Sequence, residues 1–571
     1  MSTATLRRIV LFCLGIVSIA ALLDAYRSGA AEEASLARVA PPGAVLYLEA
    51  RNFSGLLEEW NRSQEKGEWV RGANHEVFSK SRLFLRLKEA SDQFAVAAGL
   101  PPDMNFVAQL AGEQSGLALY DIGKLQFLYV TRIEAGKAEQ SALFLQRSKL
   151  ETRSAGGVTF YYSKNAEHER EVAFAMSGGY LLLATREDLM AGALERLVGS
   201  KEPSLESEAW WTSALQGVGR AGDLRLVLNL EKIVPSPYFR SYWIQKNITD
   251  MKAYRASVSD LYLSPREYRE ERVLVRMDEH AGDRSADAGS AAAGQLAQWI
   301  PADAGSYQVV ASPSADACLD LLESKLLAPH TGPEAASQFA PQVQLTSGVT
   351  GGAGALDTRI DHPPAEVRPE TAASAALQAL LAQNPVQAAL TVESTDFEKD
   401  GVFVRIHTAV VLAGSAEWNE AAVESALAEY VRPMLSASGL GTAWQKKAGY
   451  AELDGLSPLA ASVRGKVLIV SDDPRLLGEI ASNAKQTAKA EPAVLIAGFN
   501  HASERSRYLR LTAALDKQAG KGEAVPDRTP SFFSENLGSL STVLSRVSSE
   551  RIVVHDSGAR VRQTVIYAWT E

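Results

Sequence analysis

The sequence predicts an α+β chain of two tandem homologous domains, each a mainly antiparallel sheet with packed helices, behind an N-terminal apolar helix. Three observations carry this reading. A strand–cap–helix pattern occurs twice, 286 positions apart, as "GYLLLATREDLMAGAL" from Gly179 and "GKVLIVSDDPRLLGEI" from Gly465. Weaker echoes flank both copies in the same order. At 571 residues the chain is also longer than one hydrophobic core usually serves.

Each copy opens on Gly and an apolar run, Leu181–Ala184 or Val467–Val470, which reads as a strand buried on both faces. Thr185 and Ser471 then stand where a helix N-cap belongs, because a hydroxyl oxygen can accept from an orphaned amide. Asp188, Asp472 and Asp473 place negative charge in the first turn, where the helix dipole favours it. Leu189, Ala193 and Leu197, and likewise Leu476 and Ile480, recur at helical spacing. The preceding "VAFAMSGG" and "LAASVRG" add a strand and a Gly turn, so each unit is a hairpin leading into a helix.

The echo extends in both directions. "PPGAVLYLEA" from Pro41 resembles "PADAGSYQVVA" from Pro301, with Tyr47 against Tyr307, and an amphipathic helix follows each. "LRLVLNL" from Leu224 resembles "VLIAGFN" from Val494. The offset grows along the chain, so the second copy carries an insertion, and the Gly-rich stretch 346–370 is the candidate. The expected boundaries are 36–280 and 295–571.

The first thirty residues form the N-terminal segment. Arg7 and Arg8 precede an uninterrupted apolar run from Ile9 to Leu23, and small residues Ser28 and Ala30 follow. This is the pattern of a signal peptide or of a single-span membrane anchor, and both readings stay open. Either sends the body out of the cytoplasm. The whole chain carries −10; the first thirty residues hold Arg7, Arg8 and Arg27 against Asp24, so the remainder carries −12. That acidity argues against nucleic acid, whose phosphates need a basic face. Cys13 lies in the apolar run and Cys318 is alone in the body, so a mature chain forms no internal disulfide. Cys318 sits at helical spacing among Leu319, Leu321 and Leu322 and reads as a buried thiol.

Motifs that suggest chemistry fail on context. "GVGRAG", Gly217–Gly222, matches a dinucleotide fingerprint, but a helix precedes it and a strand follows, the reverse of what phosphate binding needs. It reads as a loop ending a helix. "DFEKDG" from Asp396 suggests a calcium loop, but His407 stands where a bidentate Glu belongs, so a hairpin turn is the simpler reading. The eight histidines show no zinc spacing, and no nucleophile elbow or phosphate loop occurs. No catalytic, cofactor or metal residue is expected. "NIT" at Asn247 is formally a glycosylation sequon. The aromatic clusters Trp210–Trp211 and Tyr238, Phe239, Tyr242 and Trp243 have two readings: an exposed partner-binding patch, or ordinary helix–sheet core.

The paired Pro-containing openings, "FVAQLAGEQSGLALYD" and the Gly–apolar–hydroxyl strand into a helix resemble the bacterial family designated domain of unknown function 3352. The resemblance covers nearly everything after residue 35. It implies an N-terminal membrane segment followed by one large extracytoplasmic region, and it brings no catalytic residues.

Three functions follow as expectations. The first is a non-enzymatic, membrane-tethered envelope scaffold that engages another envelope protein. The second is a binder of a lipid or apolar small ligand between sheet and helices, for which a large apolar cavity would speak. The third is a hydrolase with a site assembled from dispersed residues.

Overall fold

A computed structural model of the chain describes residues 34–80, 82–100, 106–165, 170–236, 251–277, 287–327, 375–397, 404–435, 443–453, 459–484, 490–506, 509 and 541–569. The N-terminal segment 1–30, the insertion 346–370 and the "DFEKDG" turn beyond Phe397 lie outside them, as do Asn247, Tyr238, Phe239, Tyr242 and Trp243. Among the described residues no helix is long and apolar enough to cross a membrane.

The fold is α+β. The strands of the first half are β1 (Leu46–Ala50), β2 (Ser115–Asp121), β3 (Gln126–Arg132), β4 (Glu151–Ala155), β5 (Val158–Asn165), β6 (Arg170–Ser177), β7 (Tyr180–Ala184), β8 (Leu224–Asn229), β9 (Tyr254–Leu263) and β10 (Glu267–Arg276). Those of the second are β11 (Ser306–Ala311), β12 (Val386–Phe397), β13 (Val404–Gly414), β14 (Trp444–Lys447), β15 (Tyr450–Leu453), β16 (Leu459–Arg464), β17 (Val467–Ser471), β18 (Leu495–Phe499), β19 (Val547–Asp556) and β20 (Arg560–Trp569). Every pairing is antiparallel.

The neighbour order in the first half is β4-β5-β6-β7-β3-β2-β1-β8-β9-β10. In the second it is β14-β15-β16-β17-β13-β12-β11-β18-β19-β20, the same order shifted by ten strands. The likeness reaches single bonds. Asn229 N donates to Val45 O at 2.9 Å, and Asn500 N to Gly305 O at 2.8 Å. Both asparagines then cap a following helix through Oδ1, accepting from Lys232 N and Ser503 N, each at 3.1 Å. The two sets of strands join where β10 pairs with β20 over Glu267–Val275. Across that seam Arg276 meets Asp556 at 2.7 Å, and the Arg560 guanidinium donates to the carbonyls of Ser213 and Gln216, which end a helix of the first half.

Alternation along the strands gives each half a core on both sheet faces. On one face of the first half, Tyr47, Ala118, Leu128, Leu182 and Val227 pack with the helices Glu187–Leu197 and Ala209–Leu215. On the other, Phe174, Leu181 and Leu183 meet Phe94, Ala95 and Ala98 of the helix Arg82–Ala98. The second half repeats this: Val309, Leu390, Val392 and Ile469 pack with the helices Ala288–Leu296 and Pro474–Asn483. Val410, Leu412, Leu468 and Val470 pack with Ala315–Leu322, Ala375–Gln383 and Glu420–Leu435. The helix Ala288–Leu296 contributes to the second core although it begins ahead of the boundary expected at residue 295.

Two expected caps are displaced. Thr185 does not cap; Arg186 occupies the N-cap position without a side-chain bond. Thr185 Oγ1 instead accepts from Phe127 N at 2.8 Å, closing the end of the β3–β7 ladder. Ser471 likewise donates to Thr408 O at 2.9 Å, and Asp473 is the cap, accepting from Arg475 N at 2.8 Å. The hydroxyl lies one or two residues too early, where the strand still needs it. Gly217–Gly222 is the loop from a helix into β8, with Gly217 at φ +70°.

Cys318 is fully buried, and burial pushes its thiol up to about 11. We expect the folded chain bearing Cys13→Ser to resist alkylation at neutral pH and to label at full rate only when unfolded. The unfolded thiol ionises near 9.0 while the folded one stays protonated. The unfolded state therefore binds fewer protons, and this group makes stability fall as pH rises above that value. Rapid native labelling would contradict the placement.

Candidate functional site

On the second face of the first half the described residues of the sheet and helices do not close. A cavity of about 350 Å³ remains between β1, β2, β3, β7 and β8 and the helices Phe53–Arg62 and Arg82–Ala98. Its floor is Leu48 and Ala50 of β1, Leu117 of β2, Phe127 and Tyr129 of β3, Leu183 of β7 and Leu224 of β8. The register places these in line: Leu48 opposite Leu117 and Leu226, and Ala50 opposite Ser115 and Leu224. Phe53 and Phe94 close the helix side, standing 6.5 Å from Tyr129 and 6.2 Å from Phe127 between ring centroids.

The polar atoms near the floor are satisfied internally. Tyr129 OH donates to Ser115 Oγ at 3.2 Å and to Leu110 O at 3.3 Å. Ser115 and Thr131 share a hydrogen bond at 2.6 Å, and Thr131 also donates to Gln114 O at 3.2 Å. Burial raises the Tyr129 phenol above its ordinary value, which keeps it a neutral donor. With these groups paired among themselves, the surface offered to an occupant is almost wholly apolar. The space is half open to solvent rather than sealed, so an occupant reaches it from the surface.

Polar side chains gather at the rim. Arg170, Glu171 and Thr185 line it together with Leu125. Leu125 has φ +49°, the left-handed region, which costs a branched residue about 1–2 kcal/mol. Arg170 Nε donates to Gln93 Oε1 at 2.9 Å, and its Nη1 donates to Lys124 O. Glu171 accepts from Glu187 N at 3.1 Å and lies 3.4 Å from Lys164.

The second half has the same strands without this surface. Tyr47 and Tyr307 hold matching places in the register, so Leu46 and Leu48 correspond to Ser306 and Gln308. Leu119 and Leu117 correspond to Glu393 and Thr391, and Leu226 to Ala497. Glu393 is held by Lys325 at 2.6 Å and Ser306 at 3.3 Å. Of the cavity residues, Leu48 and Leu117 thus have polar counterparts, whereas Tyr129, Leu183 and Leu224 correspond to the apolar Val410, Val470 and Leu495.

Trp210 and Trp211 correct the exposed-patch reading. They are 9% and 3% exposed in the first core, with Trp211 edge-on to Tyr47 at 5.2 Å. The buried Trp210 Nε1 finds no acceptor among the described residues. Removing an unpaired buried donor offsets part of the lost ring area. Trp210→Phe is therefore expected to change stability by less than about 1 kcal/mol, read from the denaturant midpoint. A loss of several kcal/mol would place a partner on that nitrogen.

Groups that could serve a hydrolytic site have structural partners. His407 Nδ1 lies 3.5 Å from Asp473, which also caps its helix and meets Arg475 at 3.1 Å. A crevice of about 660 Å³ at the seam is lined by Ser213, Gln216, His555, Arg560 and Arg562 together with Val273 and Val275. There Arg560 and Arg562 donate to helix-end carbonyls, and His555 faces Glu491 at 3.5 Å. Among the described residues no group of three or more His, Cys, Asp or Glu side chains could hold a metal ion.

No family model matches the chain, and no curated protein matches it. Among solved structures it is similar to TP0453 in crystal forms I, III and IV, at 14%, 12% and 13% identity and TM-scores of 0.23, 0.24 and 0.22. The alignments cover 43%, 43% and 42% of this chain and 80%, 80% and 79% of that one. At such scores the likeness assigns no function.

Proposed function

We propose that this chain is an extracytoplasmic, membrane-tethered, non-enzymatic binder of a lipid or apolar small ligand, held between the first-half sheet and its helices. The observation that carries the reading is the apolar cavity of about 350 Å³, a volume within the usual range of ligand sites, roughly 300–1,000 Å³. Its internally paired hydroxyls, and the polar Gln308 and Thr391 in place of Leu48 and Leu117, support a dedicated site. The location rests on the paired arginines and apolar run of residues 1–30. The shared strand order supports a duplication of one ancestral unit, in which the first copy has kept or gained the site and the second has become its partner across the seam. The resemblance to the domain of unknown function 3352 family enters this proposal only through the membrane-tethered, extracytoplasmic placement that it implies.

A scaffold that engages another envelope protein is the second reading. It is favoured by the pseudo-symmetric pair of ten-strand units, which offers two related surfaces about one seam.

Native mass spectrometry of the full chain, purified from its own membranes, separates the two. An apolar molecule at one per chain, lost in a cavity-filling variant, supports the binder. Equal retention by wild type and variant, or retention by neither, contradicts it.

A further inference from the structure

We infer that the occupant of the cavity is a long-chain carboxylate, a single-chain monoanionic amphiphile whose chain lies on Leu48, Leu117, Phe127 and Leu183 and whose head group meets Arg170. The assignment rests on the apolar-site reading and goes further, by naming the ligand class from the chemistry of the rim.

Arg170 begins β6 and lines the cavity beside Leu125 and Thr185. Its Nε is held by the neutral Gln93 amide and its Nη1 by the Lys124 carbonyl. These partners fix the guanidinium without cancelling its charge. Among the described residues Nη2 donates to none, and no carboxylate is within ion-pair distance of Arg170. Arg196, Arg464 and Arg505 likewise donate only to carbonyls among the described residues, but none of them lines this cavity. The net charge is −10, and Arg153, Arg186, Arg225 and Arg276 all rest on carboxylates. An arginine with no carboxylate partner among the described residues, at the edge of an apolar cavity, is the complement of an amphiphile with a negative head. Its free N–H groups suit a planar carboxylate.

Two further observations narrow the class. The volume of about 350 Å³ is near the lower end for ligand sites, which favours one chain over two. Glu171 is the next residue of the same rim and is turned to Glu187 N and Lys164. A second negative charge on the head group would face that carboxylate, so a monoanion is favoured over a dianionic phosphate.

The test is a titration of the full chain, kept soluble by an amphipathic polymer in place of detergent. Three probes are used: a long-chain fatty acid, the alcohol of equal length, and a short two-chain phosphatidate below its micellar concentration. The wild type is expected to bind the acid at least about tenfold more tightly than the alcohol, the margin of one charge-assisted hydrogen bond. Arg170→Gln should remove that margin, and Arg170→Lys should restore part of it. Equal binding of acid and alcohol by the wild type, which needs no variant to fold, overturns the carboxylate while leaving the apolar site standing. So does a preference that survives Arg170→Gln. Tighter, Arg170-dependent binding of the phosphatidate overturns the single-chain monoanion. If no probe binds, the apolar-site reading itself falls.

Discussion

Replacing Asp260 with alanine is expected to lower stability by about 3–5 kcal/mol, the cost of breaking a buried ion pair from one side. Asp260 lies in β9 and is 2% exposed. Arg225 of β8 donates to its two oxygens through Nε and Nη2, each at 2.8 Å, and Gly222 N adds a third bond at 3.0 Å. Arg225 Nη2 also donates to Gly219 O at 2.9 Å, so the pair pins the Gly217–Gly222 loop against the sheet. Alanine would leave a largely buried guanidinium and a backbone amide without their acceptor, and an orphaned buried charge costs more than the pair contributes. Replacing both partners by apolar residues, Asp260→Leu with Arg225→Met, should recover most of the loss. The measurement is the urea midpoint of the first unfolding transition. A single variant that unfolds at the wild-type midpoint, or a double variant worse than the single, would contradict the assignment.

Ala50→Phe is expected to abolish ligand binding, weakening it about 100-fold or more, with stability unchanged or slightly raised. Ala50 is 4% exposed, lines the cavity, and sits in register with Ser115 and Leu224. A benzyl group there enters space that the helices leave empty, so it excludes an occupant without displacing packed atoms. Filling a cavity commonly adds about 0.5–2 kcal/mol, whereas overpacking a closed core would cost about 1–3 kcal/mol. Stability and binding thus report separately on whether the space is real. Displacement of an environment-sensitive apolar fluorophore measures the second. Wild-type affinity in the variant would move the ligand elsewhere, and a collapse in stability would mean that the core is closed.

The parts of this architecture legible in the sequence are those encoded locally. The strand–Gly turn–strand–helix units at Gly179 and Gly465 repeat a short-range pattern, and the pairing of Tyr47 with Tyr307 marks the register that β1 and β11 share. The caps failed locally: Thr185 and Ser471 have the right chemistry, but the sheet edge claims their hydroxyls first. The cavity was not legible because its leucines alternate along β1, β2 and β8 as core residues do. Nothing in "LYLEA" says whether a helix will cover Leu48 or stand away from it. The contrast with Ser306, Gln308 and Glu393 was the available signal, once Tyr47 was set against Tyr307. The Arg225–Asp260 pair and the β10–β20 seam join residues 35 and some 290 positions apart, and no periodicity reaches that far. The tryptophans stayed open between two readings for the opposite reason, since a dense aromatic pair suits a binding patch and a core alike.

The central claim, that the first-half cavity holds an apolar ligand, is tested most directly by a crystal structure of the protein with a fatty acid brominated along its chain. The account predicts an anomalous bromine peak enclosed by Leu48, Leu117, Phe127 and Leu183, absent in Ala50→Phe. A peak anywhere else, or an empty cavity at saturating ligand, would contradict it.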